Sequence, residues 1–137
     1  MKFPYWLPVY GDASYRGPCP VEDVEQIKFF GSLRIEWPQY SRIAIHPKIE
    51  GKRTPQQVAK ERKMGGMNTG ASDIIIPGCP ALVIEMKRRD HTKSKWQAGQ
   101  IDYLEASKNA GAMVCVALGA EAAIQAVEEW HSQKNRP

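Results

Sequence analysis

The chain has 137 residues, of which 42% are hydrophobic and 25% charged, so its length and composition suit one folded domain with a hydrophobic core. No apolar run is long enough to span a membrane, and Pro4 and Pro8 interrupt the N-terminus before a signal-peptide core can form. Three widely separated cysteines without a C-x-x-C pair favour a reducing, cytoplasmic location over a disulfide framework. The net charge of +4 is mild, so the distribution of the charges matters more than their sum.

Residues 1–20 are rich in proline, glycine and aromatic side chains and show neither a helical nor a strand period. We expect an N-terminal arm that packs its aromatic residues on the domain or on a second subunit, ahead of a single domain over residues 21–137. That domain begins with a predicted helix from Val21 to about Leu33. Its apolar residues recur at every third position: Val21, Val24, Ile27, Phe30 and Leu33.

Capping signals and apolar runs predict the elements on either side of a central hairpin at 73–87. They are a strand at 41–46, a helix over 54–64, a helix from a second capping box at 94–97 to residue 110, a strand at 112–118 and a helix over about 120–132. Thr54 and Gln57 form the first capping box, with Pro55 at the first helical position. This order predicts an α/β fold, with a mixed central sheet flanked by helices.

The central hairpin, SDIIIPGCPALVIEMK at 72–87, has apolar β-formers on both sides of a Pro-Gly-Cys-Pro turn. Folding at that turn pairs Ile74 with Ile84 and places Asp73 opposite Glu85. Directly opposed residues have Cβ atoms roughly 4.5–5.5 Å apart. The sequence therefore predicts that two carboxylates meet across the strands.

Two adjacent carboxylates raise each other's pKa, and a hard divalent cation removes this penalty. Because strand side chains alternate, Lys87 points to the same face as Glu85, whereas Met86 points into the opposite layer. Asp73, Glu85 and Lys87 are therefore predicted to converge on one site. The alternative is an exposed hairpin end with scattered charges.

Basic residues flank this hairpin on both sides. They are Lys48, Lys52, Arg53, Lys60, Arg62 and Lys63 before it, and Lys87, Arg88, Arg89, Lys93 and Lys95 at its end. Positive charge grouped around an acidic metal site indicates a polyanionic substrate, and we favour nucleic acid. The alternative is that these side chains form solvated loop and helix faces.

Five motifs occur in the order that a known family shows. They are E-x-x-E-Q at 22–26, G-A-S-D at 70–73, I-E-M-K at 84–87, Q-x-x-Y-L at 100–104 and G-A-x-V at 111–114. In this combination the chain resembles the VRR-NUC group of the PD-(D/E)xK nuclease superfamily over about residues 21–130. Ser72 departs from the pattern, since many relatives have proline there.

The resemblance implies a restriction-endonuclease-like core and a Mg²⁺- or Mn²⁺-dependent phosphodiesterase without an organic cofactor. Carried over by position, Asp73, Glu85 and the Met86 carbonyl bind the metal, Lys87 orients or activates the attacking water, and Gln100 supports the site. The helix carboxylate of the family falls on Glu25 or Glu22. We favour Glu25 as the further metal ligand, although a first-turn carboxylate needs no catalytic role.

Small relatives further imply a structure-specific DNA endonuclease that acts on branched DNA, such as four-way (Holliday) junctions or flaps. They also imply a homodimer and a phage or bacterial setting. Three alternatives stay open at this point: a nucleic-acid-binding module without turnover, a restriction-type nuclease that reads base sequence, and a protein-interaction domain built on the aromatic arm.

Overall fold

The computed structural model describes residues 1–47, 54–66 and 68–136. Its strands are β1 (Val9–Tyr10), β2 (Ile74–Ile76), β3 (Leu82–Lys87) and β4 (Met113–Leu118). Its helices are α1 (Glu22–Glu36), α2 (Pro38–Ser41), α3 (Pro55–Met64), α4 (Gln100–Asn109) and α5 (Ala120–Lys134), with a 3₁₀ turn at His91–Lys93. The strands form one sheet in the order β1-β4-β3-β2, in which only the β2–β3 pair is antiparallel. The predicted mixed sheet flanked by helices is confirmed.

Two hydrophobic clusters lie on the two faces of this sheet. On one face, Ile84 and Met86 of β3 pack with Phe29 of α1 and Val127 of α5. On the other face, Val83 of β3 and Val116 of β4 pack with Leu104 of α4 and with Leu7. Leu7 belongs to the N-terminal arm at residues 1–20, called the N-terminal segment from here on. Both faces of β3 are therefore covered, as expected for a strand inside a largely parallel arrangement.

The predicted hairpin register is confirmed. Ile74 pairs with Ile84, Ile75 with Val83, and Ile76 with Leu82. The three isoleucines match three apolar partners across the Pro-Gly-Cys-Pro turn, and a slip of one residue would turn every side chain to the wrong face. This register fixes where Asp73 and Glu85 lie.

The strand predicted at 41–46 is wrong. Ser41 ends the short helix α2, and only Ile45 makes a β contact, an isolated antiparallel bridge to Ile75. Pro38 begins α2 at a position that tolerates proline, and the apolar residues Ile43 and Ile45 stay 44% and 51% exposed. Their alternation therefore does not mark a half-buried strand.

The second capping box, at 94–97, is also wrong. Helix α4 begins only at Gln100, after Gly99 in a left-handed conformation with φ of 85°, and no side chain caps it. Ser94 has a different role, because its hydroxyl accepts from the Arg88 backbone N–H at 3.0 Å and donates to Glu22 at 2.8 Å. Ser94 therefore links the loop after β3 to helix α1 and does not cap α4.

Helix α1 forms as predicted, but its inward face differs from the every-third-residue stripe. Val24 and Ile27 are exposed, whereas Glu25, Phe29 and Leu33 are buried. Each step of three residues falls about 60° short of a full turn, while a step of four overshoots by only about 40°. A stripe spaced by three therefore winds around the helix, and the series spaced by four faces the core.

The N-terminal segment contributes an edge strand that its sequence did not predict. Val9 and Tyr10 pair in parallel with Val116 and Ala117 of β4. Phe3, Trp6 and Val9 pack against the same cluster as α4, in agreement with aromatic packing on the domain. Within the described residues, no helix is long and apolar enough to cross a membrane.

Candidate active site

The carboxylate of Asp73 lies against the backbone of β3. Its Oδ2 accepts the Met86 N–H at 2.8 Å, the hydrogen bond that the Ser72 carbonyl would accept if β2 began two residues earlier. The carboxylate thus takes over the last hydrogen bond of the β2–β3 ladder. This contact places a side-chain oxygen of Asp73 next to the residue that follows Glu85.

The carbonyl of Met86 faces the same edge. The Lys87 carbonyl accepts the Gly119 N–H, so it points toward β4. The N–H and C=O of one strand residue point to the same side, and this side alternates along the chain. The Met86 carbonyl therefore points toward β2, the side on which its N–H meets Asp73.

Glu85, Lys87 and Gln100 form a linked network on the α4 face of β3. The Gln100 side chain donates from Nε2 to Glu85 Oε1 at 2.8 Å and accepts at Oε1 from Lys87 Nζ at 2.9 Å. The Lys87 ammonium also donates to the Lys95 carbonyl at 3.0 Å and lies 3.6 Å from Glu85 Oε1. The Gln100 amide therefore accepts from the Lys87 cation and donates to the Glu85 anion.

This network lies below the protein surface. The exposed fractions are 6% for Asp73, 0% for Glu85, and 1% each for Lys87 and Gln100. Burying a charge costs several kcal/mol unless partners compensate it. A buried ion pair is weak evidence for added stability. Its presence on an otherwise apolar strand makes Glu85 and Lys87 candidates for a chemical role.

Two glycines set the position of α4 beside Asp73. A Cβ on Gly70 would lie 2.1 Å from the Gly99 carbonyl oxygen and 2.8 Å from the Gln100 nitrogen. Only a residue without a side chain fits at Gly70, where backbone packs directly on backbone. The segment leading to Asp73 and the start of α4 are thereby held in contact.

The structure places Glu25 apart from this network. Its carboxylate accepts the backbone N–H of Ala120 at the start of α5 and lies 3.9 Å from Lys28 Nζ. Helix α1 covers the Met86 face of β3, opposite the face that carries Glu85. Within residues 1–47, 54–66 and 68–136, no three His, Cys, Asp or Glu side chains are grouped closely enough to hold a metal ion.

Neither helix carboxylate therefore joins Asp73 and Glu85 in a described cluster. Glu22 accepts from Ser94, and Glu25 accepts the first N–H of α5, where a helix dipole favours a negative charge. Both contacts are structural. A metal-ligating role for Glu25, or for Glu22 in its place, stays a prediction.

The basic residues fall into two groups with different environments. Lys60, Arg62 and Lys63 are exposed on α3, a helix without a buried residue. Arg88 and Lys93 instead bind the N-terminal segment: Arg88 donates to the carbonyls of Cys19 and Pro20, and Lys93 donates to the carbonyl of Gly17.

Of the other five predicted basic residues, two are described and three lie outside the described part. The Arg89 guanidinium lies 4.6 Å from the centre of the Tyr15 ring, and the Lys95 side chain is exposed. Lys48, Lys52 and Arg53 are outside the described residues. The predicted nucleic-acid contacts therefore stay predictions, and Arg88 has a structural role in addition.

Sequence reasoning missed two contributors to the site. Trp96 lies over the network, with its ring centre 5.2 Å from Lys87 Nζ. His46 contacts the Asp73 carbonyl through Nδ1 at 2.7 Å. The only sequence signal for Trp96 is an aromatic residue four positions before Gln100, and no local pattern marks His46.

Comparison with known proteins identifies the fold. The sequence matches no protein-family model and no curated protein. Among solved structures, a "VRR_NUC domain protein" is similar to this chain, with a TM-score of 0.65 and 22% sequence identity over 86% of this chain and 92% of the other. The two proteins therefore share a fold over most of their length, in agreement with the fold predicted from the motifs.

Proposed function

We propose that this chain is a divalent-metal-dependent nuclease that hydrolyses phosphodiester bonds in DNA. The observation that carries the proposal is the confirmed hairpin register, which brings Asp73 against β3 beside Glu85 and Lys87. The fold shared with a VRR_NUC domain protein supports the same assignment. Gln100, from helix α4, links the Glu85 carboxylate to the Lys87 ammonium.

The residues at this edge fit Mg²⁺ or Mn²⁺ by their donor chemistry. Hard oxygen atoms, the ligand type that these ions prefer, are offered by Asp73, Glu85 and the Met86 carbonyl, which points toward β2. Mg²⁺ sites with one or two carboxylates, completed by water and substrate phosphate, are usual. When bound, such an ion lowers the pKa of a coordinated water and offsets charge on the phosphate.

The residues of the chain supply positioning and charge. Gln100 and the Lys95 carbonyl fix the Lys87 ammonium, so its positive charge is already in place where negative charge develops on a phosphate. Glu85 is held by the Gln100 amide, and Asp73 by the Met86 N–H. A preorganised cluster of this kind costs little reorganisation during the reaction.

Branched DNA is the substrate class that we favour, with cleavage by a homodimer in a bacterial or phage-infected cell. The exposed lysines and arginine of α3 (Lys60, Arg62, Lys63) provide positive charge for phosphate contacts. A dimer with two-fold symmetry would hold two sites at the fixed separation that symmetric cleavage of a junction requires. The described part of the chain contains no cysteine in a disulfide, which suits a reducing compartment.

The substrate and the metal are tested together by one cleavage experiment. End-labelled four-way junction, flap, single-stranded and linear duplex DNA are incubated with Mg²⁺, Mn²⁺ or EDTA. We expect metal-dependent cutting of the branched substrates that is lost in EDTA and in Asp73→Asn. Cleavage of Asp73→Asn at the wild-type rate would contradict the proposed site.

A second candidate is a nucleic-acid-binding module that has the fold but no turnover. The deep burial of Lys87 favours it, because a side chain that is 1% exposed does not reach a phosphate in the arrangement described. Tight binding of the same DNA substrates without cutting under any metal condition would establish this alternative.

A further inference from the structure

One short loop lies against the buried network of Glu85, Lys87 and Gln100. A phosphodiester must contact Asp73, Glu85 and Lys87 if they act on it, yet all three are at least nine-tenths buried. Residues 95–99, here called the cover loop, lie between the 3₁₀ turn and α4 and belong to neither helix nor strand.

The cover loop contacts the network from outside. Its Lys95 carbonyl accepts from the Lys87 ammonium, and its Trp96 ring lies 5.2 Å from the same nitrogen. The Gln97 N–H donates to Gln100 Oε1 at 2.9 Å. The loop therefore both hides Lys87 and fixes its position.

The two ends of the cover loop are anchored, but its middle is held by the N-terminal segment. Ser94, just before the loop, is tied by its hydroxyl, and Gly99 packs on Gly70 at the other end. Between them, the Trp96 indole N–H donates to the Lys2 carbonyl at 2.8 Å, and the Phe3 ring lies edge-on to Trp96 at 6.3 Å. These two contacts form a latch.

We propose that the cover loop is a gate over the Asp73–Glu85–Lys87 site, held closed by the latch between Trp96 and residues 2–3, and that its middle moves outward between the two anchored ends to admit the phosphodiester. This inference rests on the proposed nuclease function for its biological meaning. The physical device is independent of turnover, because closing depends only on contacts within the chain.

Lysine acetylation measures the gate directly. The folded protein is treated with a dilute N-hydroxysuccinimide acetate reagent, and the labelling rate at each lysine is read by peptide mass spectrometry. Lys108, exposed on α4, is the internal reference. In the wild type we expect Lys87 to be labelled far more slowly than Lys108.

Two variants open the latch, and one serves as a matched control. Trp96→Phe keeps an aromatic ring but removes the indole N–H that bonds to the Lys2 carbonyl, and it should raise Lys87 labelling about five-fold. Phe3→Ala removes the aromatic contact and should raise it by about two- to ten-fold. Tyr5→Ala, at a fully exposed aromatic residue of the same segment, should leave it unchanged.

The outcomes separate the gate from the catalytic proposal. Equal Lys87 labelling in the wild type, Trp96→Phe and Phe3→Ala would overturn the gate, as would a rise that Tyr5→Ala shares. If the latch variants behave as expected but the protein cuts no DNA, the nuclease proposal fails while the gate stands.

Discussion

The two faces of β3 are formed by alternate residues of one strand, but one face is apolar and the other carries charged side chains. Leu82, Ile84 and Met86 face α1 and α5 and are packed into an apolar cluster. On the other face, Glu85 and Lys87 are just as buried but interact through Gln100. The first face gains free energy from removing apolar area from water, whereas the second must offset the cost of burying charge.

This difference predicts that substitutions on the two faces have opposite effects on stability and on activity. Truncating the apolar face should lower the free energy of unfolding, and the surviving folded molecules should retain their chemistry. Replacing the polar face by apolar residues should leave folding intact and remove activity.

The largest effect is expected from the triple variant Glu85→Leu, Lys87→Met, Gln100→Leu. It removes both charges of the Glu85–Lys87 pair and the amide that links them, so neither member of the pair stays buried without the other. Replacing buried ion pairs by apolar residues is often neutral or stabilising by about 1–4 kcal/mol. We therefore expect no detectable cleavage together with unchanged or higher stability in urea denaturation. Loss of cooperative unfolding would contradict the comparison.

The apolar face is tested by Ile84→Ala. A buried isoleucine truncated to alanine typically costs about 2–5 kcal/mol through lost burial and the cavity left behind. Urea denaturation should show this loss, while cleavage at low temperature stays near the wild-type rate. The matched control is Ile27→Ala, at a residue that is 73% exposed, where a change within about 0.5 kcal/mol is expected.

How much of this arrangement the sequence predicts depends on the range of the interactions. The β2–β3 register was predictable because three isoleucines face three apolar partners across a short turn with proline and glycine. The position of Asp73 opposite β3 follows from that register. Local pairing and strand alternation were therefore enough to predict that Asp73 lies against the backbone of β3 and that Glu85 and Lys87 share one face.

The long-range contacts were not predictable from local patterns. Helix α1 turns Glu25 toward the start of α5, 95 residues further along the chain, and no spacing within α1 signals this. The latch joins Trp96 to Lys2 across a similar separation. Such pairings depend on how the layers pack, so motif and period alone miss them.

The two groups of basic residues extend the comparison to the surface. Lys60→Ala with Lys63→Ala removes exposed charge from α3, and each lost phosphate contact should reduce the salt slope of DNA binding by about one. The control Lys108→Ala should leave the slope unchanged. Fluorescence titrations at several salt concentrations measure it. An unchanged slope in the double variant would rule out α3 as a phosphate contact.

The smallest effect concerns Asp90, which joins the loop after β3 to the N-terminal segment. Hydrogen bonds from the Thr92 hydroxyl and from the backbone N–H groups of Gly17 and Thr92 lower the pKa of Asp90 from 3.8 to about 2. Because folding lowers this pKa, the ionised carboxylate stabilises the fold above pH 3.8, and its contribution disappears as the pH falls through about 2.

Asp90→Asn should therefore be less stable than the wild type at pH 7, and the difference should vanish toward pH 2. Urea denaturation across this range measures the effect. A control at the exposed Glu105 in the middle of α4, Glu105→Gln, should change stability little at any pH. A difference for Asp90→Asn that persists unchanged at low pH would contradict the assigned role of the carboxylate.

The central claim is that the buried carboxylate–lysine network of β3 cuts nucleic acid. Its most direct test is the single-turnover cleavage rate of a four-way DNA junction with Mg²⁺, compared between Glu85→Gln and Glu105→Gln, the latter at an exposed residue of α4. We expect Glu85→Gln to lose cleavage while Glu105→Gln cuts at the wild-type rate. Equal rates in the two variants would contradict it.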